Sequence, residues 1–216
     1  MFIQGPRTGV WHEVYHNAGV AGIILAGGKN SRMGAEKALL KIGAKPIIEI
    51  ISTALKPLTE EIIIVSNRPE QYSTYGDLVV GDIIPGCGPL GGIHAGLLHS
   101  SGQAALVTAC DTPFVSANLA RLLMKHAAGY DLVVPRYRGF LEPLFALYNK
   151  SCLNTIEARL KQGRNKITGF YDDLRVRYVE EEELRSAETE LDRVFLNVNT
   201  PVDLAKAQNI VEVAKK

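Results

Sequence analysis

The densest combination of glycine and positive charge in the sequence lies directly after the apolar run at residues 21–25. The segment AGGKNSRMGAEK, residues 26–37, contains three glycines and three cationic side chains: Gly27, Gly28, Gly34, Lys29, Arg32 and Lys37. Glycines allow the backbone to turn sharply and to present its amides to an anion. A nucleoside triphosphate carries about four negative charges and one ion pair gains only ~4 kcal/mol at an effective dielectric near 20, so several donors must converge. The pattern predicts a strand followed by a phosphate-binding loop.

The common phosphate-loop motifs do not describe this segment. A Walker loop, G-x-x-x-x-G-K-[ST], requires glycine where the sequence has Ile23, and serine or threonine where it has Asn30. The dinucleotide motif GxGxxG does not occur here either. The segment instead resembles the L-A-G-G-x-S-x-R-M-G-x-D-K signature of the molybdenum cofactor guanylyltransferases, a family of nucleotidyltransferases. Glu36 stands where that family usually has aspartate, and the effect of the longer acid is left open.

Two predicted strands end near polar residues that suit a nucleotide. Residues 61–65, EIIIV, precede Asn67, and residues 77–82, DLVVGD, end at Asp82. Ligands of open α/β sheets bind outside the carboxyl ends of the strands, so both residues are candidates for nucleotide contact. Asn67 is equally well explained as a turn residue. Asp82 could accept hydrogen bonds from N1–H and the 2-amino group of guanine, which adenine does not offer.

A third predicted strand, residues 104–111, ends in a carboxylate at Asp111, followed by threonine and proline. A carboxylate at this position is well placed to hold Mg²⁺ against phosphate oxygens. The alternative, that Asp111 caps the next helix, fits less well because Ser116 is the natural cap. The sequence C-D-T-P resembles the metal-binding motif of the same family, which implies the metal role for Asp111. Cys110 is expected to be a small buried residue rather than a nucleophile.

The last informative segment is VFLNVNTPVDL, residues 194–204. Thr200 is the expected cap and Pro201 the first residue of a helix whose buried stripe includes Leu204 and Ala207. Asn197 and Asn199 are polar positions on a predicted apolar strand, whose alternation turns both to one face. N-x-N-T-P resembles the closing motif of the family. We therefore assign both asparagines to the acceptor side of the site or to the outer shell of the metal.

Two other motifs are interpreted as chance matches, and one cluster is left open. Residues 12–16, HEVYH, fit the zinc-protease motif HExxH, but a glycine and a strand follow at once and a third ligand is not accounted for. Residues 86–91, GCGPLG, fit GxGxxG, but Pro89 removes an amide from the loop. That loop resembles the G-P-L-x-G loop of the family, which walls the nucleotide pocket. Arg136 and Arg138 either grip an anionic second substrate or are solvated charges.

Strands alternate with helices along the chain, which predicts a three-layer α/β/α fold with a mostly parallel, Rossmann-like sheet. The resemblance adds one antiparallel strand, at residues 142–148, and the nucleotide-diphospho-sugar transferase type of fold. Residues 20–216 are expected to form a single nucleotidyltransferase domain, and residues 1–19 an extension of unknown role. A further helix is predicted from Pro46, with an apolar stripe formed by Ile47, Ile50, Ile51, Ala54 and Leu58, and another helix at residues 153–160. Strands are predicted at 131–135 and 175–179. Residues 180–190 are expected to form an acidic surface segment.

The composition limits the classes of partner. The chain has 216 residues, 46% hydrophobic content and a net charge of +1, so it lacks the clustered basic charge that nucleic-acid binding requires. Three widely spaced cysteines do not form a disulfide framework. The apolar runs are shorter than the ~18 residues of a membrane helix, and the N-terminus lacks an apolar signal core. We expect a cytoplasmic protein without a membrane partner.

The resemblance implies transfer of GMP from GTP to molybdopterin, with release of pyrophosphate and formation of the guanine dinucleotide cofactor. Mg²⁺ is the expected cofactor, and other cofactor-biosynthesis proteins and molybdoenzymes are possible partners. The alternatives are a nucleotidyltransferase that uses CTP or a sugar-phosphate acceptor, and a regulator that binds nucleotide without turnover. The catalytic candidates are Arg32, Lys37 and Asp111, and the nucleotide-binding candidates are Leu25, Ala26, Gly27, Gly28, Lys37, Asn67, Asp82 and Asp111.

Overall fold

The computed structural model describes residues 19–27 and 36–213. In these ranges the strands are β1 (Val20–Leu25), β2 (Lys41–Ile42), β3 (Lys45–Pro46), β4 (Glu61–Val65), β5 (Leu78–Val80), β6 (Ala104–Ala109), β7 (Leu132–Tyr137), β8 (Phe140–Leu141), β9 (Phe145–Asn149) and β10 (Val176–Val179). The α-helices are α1 (Ile47–Leu55), α2 (Pro69–Tyr72), α3 (Gly88–His99), α4 (Ala117–Lys125), α5 (Cys152–Lys161), α6 (Glu181–Ala187), α7 (Leu191–Val194) and α8 (Pro201–Val213). Short 3-10 helices span Lys37–Leu39 and Tyr171–Asp173.

The main sheet has the strand order β10-β7-β9-β6-β1-β4-β5, with β8 paired to β7. β1 lies between β4 and β6 and is parallel to both, and β5 is parallel to β4. β9 is antiparallel to β6 and β7, which confirms the predicted antiparallel strand. Because β9 reverses between them, β6 and β7 run in the same direction. The carboxyl ends of β1, β4, β5, β6 and β7 therefore share one edge of the sheet.

Two hydrophobic cores lie on opposite faces of this sheet. One core contains Ile51 of α1, Leu119 of α4 and Ala207 of α8, and the other contains Ile93 of α3 and Ile156 of α5. All six residues of β1 are buried, as expected for a parallel strand covered on both faces. The arrangement confirms the three-layer α/β/α architecture.

Several predicted boundaries were wrong in detail. The buried residues of α1 are Ile47, Ile48, Ile51 and Leu55, so the helix is rotated relative to the predicted stripe. The strand predicted at 77–82 covers only Leu78–Val80, and the one predicted at 142–148 begins at Phe145. In α8 only Ala207 is fully buried. The acidic segment 180–190 is not wholly superficial, because it contains α6, whose Leu184 is buried.

The strand predicted around Asn197 and Asn199 does not exist. Helix α7 ends at Val194, and residues 195–200 are irregular. The amide of Val198 donates a hydrogen bond of 2.7 Å to the carbonyl oxygen of Asp111. This tertiary hydrogen bond, and not pairing with a strand of the sheet, holds the backbone at Val198. The prediction that strand alternation turns Asn197 and Asn199 to one face is therefore wrong.

Two of the predicted features lie outside the described residues, namely the HExxH match at 12–16 and nearly all of the N-terminal extension 1–19. In the part of the chain that the structure describes, no helix is long and apolar enough to cross a membrane.

Candidate active site

The loop after β1 begins at the centre of the carboxyl edge of the sheet. The carbonyl oxygen of Leu25 accepts a hydrogen bond of 3.0 Å from the amide of Cys110, and the amide of Ala26 donates one of 2.9 Å to Val65. The amide of Ala26 is thus used within the protein. Gly27 is exposed, and among the described residues only the carbonyl oxygen of Val65, at 3.8 Å, lies within 4 Å of the position of an added Cβ. Gly28 and Arg32 lie outside the described residues.

Lys37 is the first residue of the 3-10 helix on the return from this loop. Its Nζ donates a hydrogen bond of 2.6 Å to Oδ1 of Asn199. The backbone around Asn199 is fixed in turn, since the Asp203 carboxylate accepts from the amides of Asn199 at 3.2 Å and Thr200 at 2.9 Å. The amide of Asp203 donates to Thr200 Oγ1 at 3.2 Å, which confirms Thr200 as the cap of α8.

Asp111 follows β6 at the same edge. Its Oδ1 is buried and, among the described residues, has no hydrogen-bond partner. Burial raises the pKa of Asp111, while the positive charge of Lys37 acts in the opposite direction. The amide of Val198, next to Asn199, donates to the carbonyl oxygen of Asp111 at 2.7 Å, so the segment that contacts Lys37 lies against the backbone at Asp111. These two contacts bring three distant parts of the chain, at Lys37, Asp111 and Asn199, into the same region.

The chemistry of Asp111 fits the Mg²⁺ that the sequence led us to expect. A buried carboxylate oxygen without a partner is costly unless it gains a ligand, and carboxylate oxygen is a preferred ligand of Mg²⁺. Within residues 19–27 and 36–213, no three His, Cys, Asp or Glu side chains are grouped as a metal site. A single carboxylate still suffices where substrate phosphates and water supply the other ligands.

Asn67 and Asp82 form a pair at the ends of β4 and β5. The amide of Asp82 donates to Asn67 Oδ1 at 3.0 Å, and Asn67 Nδ2 donates to Asp82 Oδ2 at 3.3 Å. Gly81 makes this approach possible, because a Cβ there would lie 2.9 Å from Asn67 Oδ1. Asn67 is exposed and Asp82 half-buried at the sheet edge. The pair places one carboxylate and one amide at the carboxyl ends of β4 and β5.

Three polar side chains of the expected acceptor side have partners elsewhere. Asn197 is exposed, and its Nδ2 donates to the carbonyl of Phe195 at 3.4 Å. Arg136 pairs with Glu180 at 2.9 Å and Arg138 with Asp192 at 2.6 Å, all four being exposed or half-exposed side chains. Of the two asparagines, only Asn199 contacts Lys37. The ion pairs favour the interpretation of the arginines as surface charges.

Burial raises the pKa of two titratable groups at this edge, Cys110 and Glu142. Burial, more than any other cause, raises the pKa of the Cys110 thiol to about 12, so Cys110 is not an ionised nucleophile at neutral pH. Burial raises the pKa of Glu142 to about 7. Glu142 lies just before β9, where Phe145 pairs with Thr108 of β6, and its amide donates to Pro135 at 2.9 Å. Sequence reasoning missed Glu142, because only the packing of the surrounding chain reveals its burial.

Comparisons with known proteins identify the family of this chain. Residues 22–177 match the family model of the MobA-like NTP transferase domain. The chain is 46% identical to a probable molybdenum cofactor guanylyltransferase of Pelotomaculum thermopropionicum, over 88% of this chain and 93% of the relative. It is 35% identical to the molybdenum cofactor guanylyltransferase of Desulfosudis oleivorans, over 91% of this chain and 98% of the relative.

Solved structures show the same likeness. The molybdopterin-guanine dinucleotide biosynthesis protein A of Archaeoglobus fulgidus has a TM-score of 0.79 and 32% identity, and the match covers 90% of this chain and all of that one. A 2-C-methyl-D-erythritol 4-phosphate cytidylyltransferase of Thermus thermophilus has a TM-score of 0.61 at 15% identity, over 88% of this chain and 98% of that one, which shows a shared fold alone. On the family model and the long, similar relatives, the chain belongs to the molybdenum cofactor guanylyltransferases, a family of nucleotidyltransferases with the MobA-like NTP transferase domain.

Proposed function

We propose that this protein transfers GMP from GTP to the terminal phosphate of molybdopterin and releases pyrophosphate. The contact of Lys37 with Asn199, on a segment that is hydrogen-bonded to the backbone of Asp111, supports this proposal most directly. A cation and an unpartnered carboxylate oxygen at the mouth of a glycine-rich loop suit a triphosphate with its metal ion. The names of the relatives supply the nucleotide and the acceptor.

The residues have separate roles in this proposal. Lys37, with Arg32 and the amides from Gly27 onward, binds the triphosphate and offsets the charge that develops on the leaving pyrophosphate. Asp111 holds Mg²⁺, which when bound neutralises negative charge on the phosphates. Asn199 keeps the Lys37 amine directed into the cleft through its 2.6 Å hydrogen bond.

No general base is required for this reaction. The acceptor phosphate is already ionised near neutral pH, so its oxygen can attack the α-phosphorus of GTP without proton transfer. As the new P–O bond forms, the bond to the β-phosphate oxygen breaks and pyrophosphate leaves. Alignment of the two phosphates and neutralisation of their charge are then the main tasks of the site, as in other phosphoryl transfers.

Guanine selection is proposed for Asp82 with Asn67. The Asp82 carboxylate would accept from N1–H and the 2-amino group of guanine, while Asn67 holds the Asp82 backbone at 3.0 Å. Leu25, Ala26 and the start of α3 from Gly88 would line the nucleoside.

We also propose a cytoplasmic location, which the free Cys87, Cys110 and Cys152 support, and delivery of the product to molybdoenzymes.

The test is an incubation of the full chain with Mg²⁺, molybdopterin and one nucleotide at a time: GTP, CTP, UTP or ATP. We expect the guanine dinucleotide and an equal amount of pyrophosphate from GTP, and little product from the others. Preferential use of CTP, or GTP binding without pyrophosphate release, would contradict the proposal. The first result would indicate a cytidylyltransferase, and the second a nucleotide-binding regulator. Asp111→Asn should remove the product, whereas Lys125→Ala, at the exposed carboxyl end of helix α4, should leave it unchanged.

A further inference from the structure

The carboxylate of Glu36 joins the segment that leads to Lys37 with the segment that follows β4. Glu36 Oε2 accepts a hydrogen bond of 2.6 Å from the hydroxyl of Tyr72, and Glu36 Oε1 accepts one from Arg68 Nη1. Arg68 precedes α2 and Tyr72 is its last residue, so both donors come from the segment after β4. Each oxygen of the carboxylate is thereby committed to the same neighbouring segment.

The two donors differ in how firmly they are held. Tyr72 is completely buried in the core that also contains Ile51 and Ile64, so its hydroxyl has little freedom to move. Burial first, and then the hydrogen bond to Glu36, raise the pKa of Tyr72, so the hydroxyl stays protonated and remains a donor at neutral pH. The side chain of Arg68 is 58% exposed, and exposed ion pairs contribute only ~0–1 kcal/mol. Tyr72 is therefore the fixed point of the contact.

Glu36 lies between two segments that carry candidate site residues. Glu36 directly precedes Lys37 and caps its 3-10 helix, where the Glu36 carbonyl accepts from the amide of Leu39 at 3.0 Å. On the other side, Arg68 directly follows Asn67, the partner of Asp82. The carboxylate thus connects the backbone that carries Lys37 to the backbone that carries Asn67.

A carboxylate next to a triphosphate site is unfavourable unless another role compensates for the repulsion. In this structure Arg68 offsets the charge of Glu36, and the Tyr72 hydroxyl directs the carboxylate toward α2. The residue that follows, Lys37, is then presented to Asn199. These contacts distinguish Glu36 from a solvated acid on the loop surface.

We propose that Glu36 is a positioning residue, which uses the buried Tyr72 hydroxyl to fix Lys37 relative to the base-binding segment at Asn67. Glu36 acts through Lys37 and does not contact the nucleotide. The inference rests on the proposed function in one respect, since it requires that Lys37 bind the triphosphate of GTP. It does not depend on the identity of the acceptor.

The experiment measures the dissociation constant of GTP with Mg²⁺ by calorimetry on the full chain, without acceptor. We expect Glu36→Ala to weaken GTP binding about tenfold or more, and Tyr72→Phe, which keeps the buried ring, to weaken it severalfold. Glu36→Gln keeps the length and an acceptor oxygen and should lie between Glu36→Ala and the unchanged protein. Glu49→Gln removes a half-exposed acid of α1 that pairs with Lys45 of β3 and should leave GTP binding unchanged. Thermal unfolding of each variant verifies that it is folded.

The decisive comparison repeats Glu36→Ala in the Lys37→Ala background. If Glu36 acts through Lys37, the second substitution should cause no further loss, because coupled residues are not additive. An equal fold-loss in both backgrounds, or unchanged GTP binding by Glu36→Ala, would overturn the inference. Failure of the acceptor reaction with this coupling intact would instead overturn only the proposed transfer to molybdopterin.

Discussion

Lys37 Nζ lies 2.6 Å from Asn199 Oδ1, although 162 positions separate the two residues in the sequence. Lys37 stands on the return from the loop after β1, and Asn199 lies immediately before Thr200, the cap of α8. The contact joins residues near the beginning and the end of the domain, and the neighbouring Val198 amide donates to the carbonyl oxygen of Asp111 at 2.7 Å. A cation fixed in this way is already oriented when the nucleotide arrives, which lowers the cost of binding.

Loss of the Lys37 amine should affect turnover far more than folding. We expect Lys37→Ala to reduce kcat/KM for GTP by about a hundredfold, comparable to removal of one preorganised donor that stabilises developing charge. Because Lys37 is only half-buried, the thermal unfolding midpoint of the Lys37→Ala variant should change little. Lys41→Ala, an exposed lysine of β2, is the matched control. Full activity of Lys37→Ala in the pyrophosphate-release assay would remove Lys37 from the site.

Asp82 should determine the preference for guanine. We expect Asp82→Asn to weaken GTP binding by about tenfold to a hundredfold, since a lost bidentate contact to a base costs ~1–3 kcal/mol. ATP binding, which does not use the same contacts, should stay as weak as before. Asn67→Ala should produce a smaller loss of the same kind, because Asn67 holds the Asp82 backbone. The measurement is competition between GTP and ATP for the protein. Equal losses for both nucleotides would mean that Asp82 does not read the base.

Substitution by alanine should lower stability at Gly96 but weaken GTP binding at Gly27. A Cβ at Gly96 in α3 would lie 2.7 Å from the side chain of Ile23, which is completely buried in β1. Overpacking of this kind costs ~1–3 kcal/mol. Alanine's better helix propensity returns up to ~1 kcal/mol. We therefore expect Gly96→Ala to lower the free energy of unfolding by a net ~1–2 kcal/mol.

Gly27→Ala is the counterpart. The added Cβ has ordinary room near Val65, so stability should be unchanged, but it should obstruct the approach of phosphate to the backbone and weaken GTP binding. Chemical denaturation and calorimetry on both variants test the pair. Destabilisation by Gly27→Ala, or retained stability in Gly96→Ala, would contradict the packing described here.

Glu142 should make the stability of the protein depend on pH. Burial raises its pKa from 4.5 to about 7 in the folded protein, so between these values the folded chain holds a proton that the unfolded chain has released. Stability therefore falls as pH rises from about 4.5 to 7 and changes little more above that range. We expect Glu142→Gln to unfold at a higher temperature than the unchanged protein at pH 8, and at the same temperature at pH 4.

Thermal unfolding across pH 4–8 tests this expectation, with the exposed Glu212→Gln of α8 as the control. A difference between Glu142→Gln and the unchanged protein that stayed constant with pH would show that the effect comes from packing and not from titration.

The sequence predicted those parts of the fold where local pattern and tertiary structure agree. The apolar β1 and β4, the cap at Ser116 and the polar residues at strand ends all appear where expected, because parallel strands covered on both faces leave only their ends for chemistry. Ser116 accepts a hydrogen bond from Leu119 at 3.3 Å, as a cap should.

The errors occur where the pattern is ambiguous. Ile47, Ile48, Ile50 and Ile51 are all apolar, so the periodicity of α1 did not determine which side faces the core. The alternating residues 194–199 suggested a strand, but the preceding turn of helix and the bond from Val198 to Asp111 decide the backbone. The contact of Glu36 with Tyr72 spans 36 positions and depends on how α2 packs, which no local pattern encodes.

The proposed function is tested most directly by a crystal structure of the protein with GTP and Mg²⁺. We expect one nucleotide at the carboxyl edge of the sheet, with its phosphates contacted by Lys37 Nζ, its metal ion bound to the Asp111 carboxylate, and its guanine beside Asp82. A nucleotide bound elsewhere, or a complex in which Lys37 and Asp111 do not contact the same triphosphate and metal ion, would contradict it.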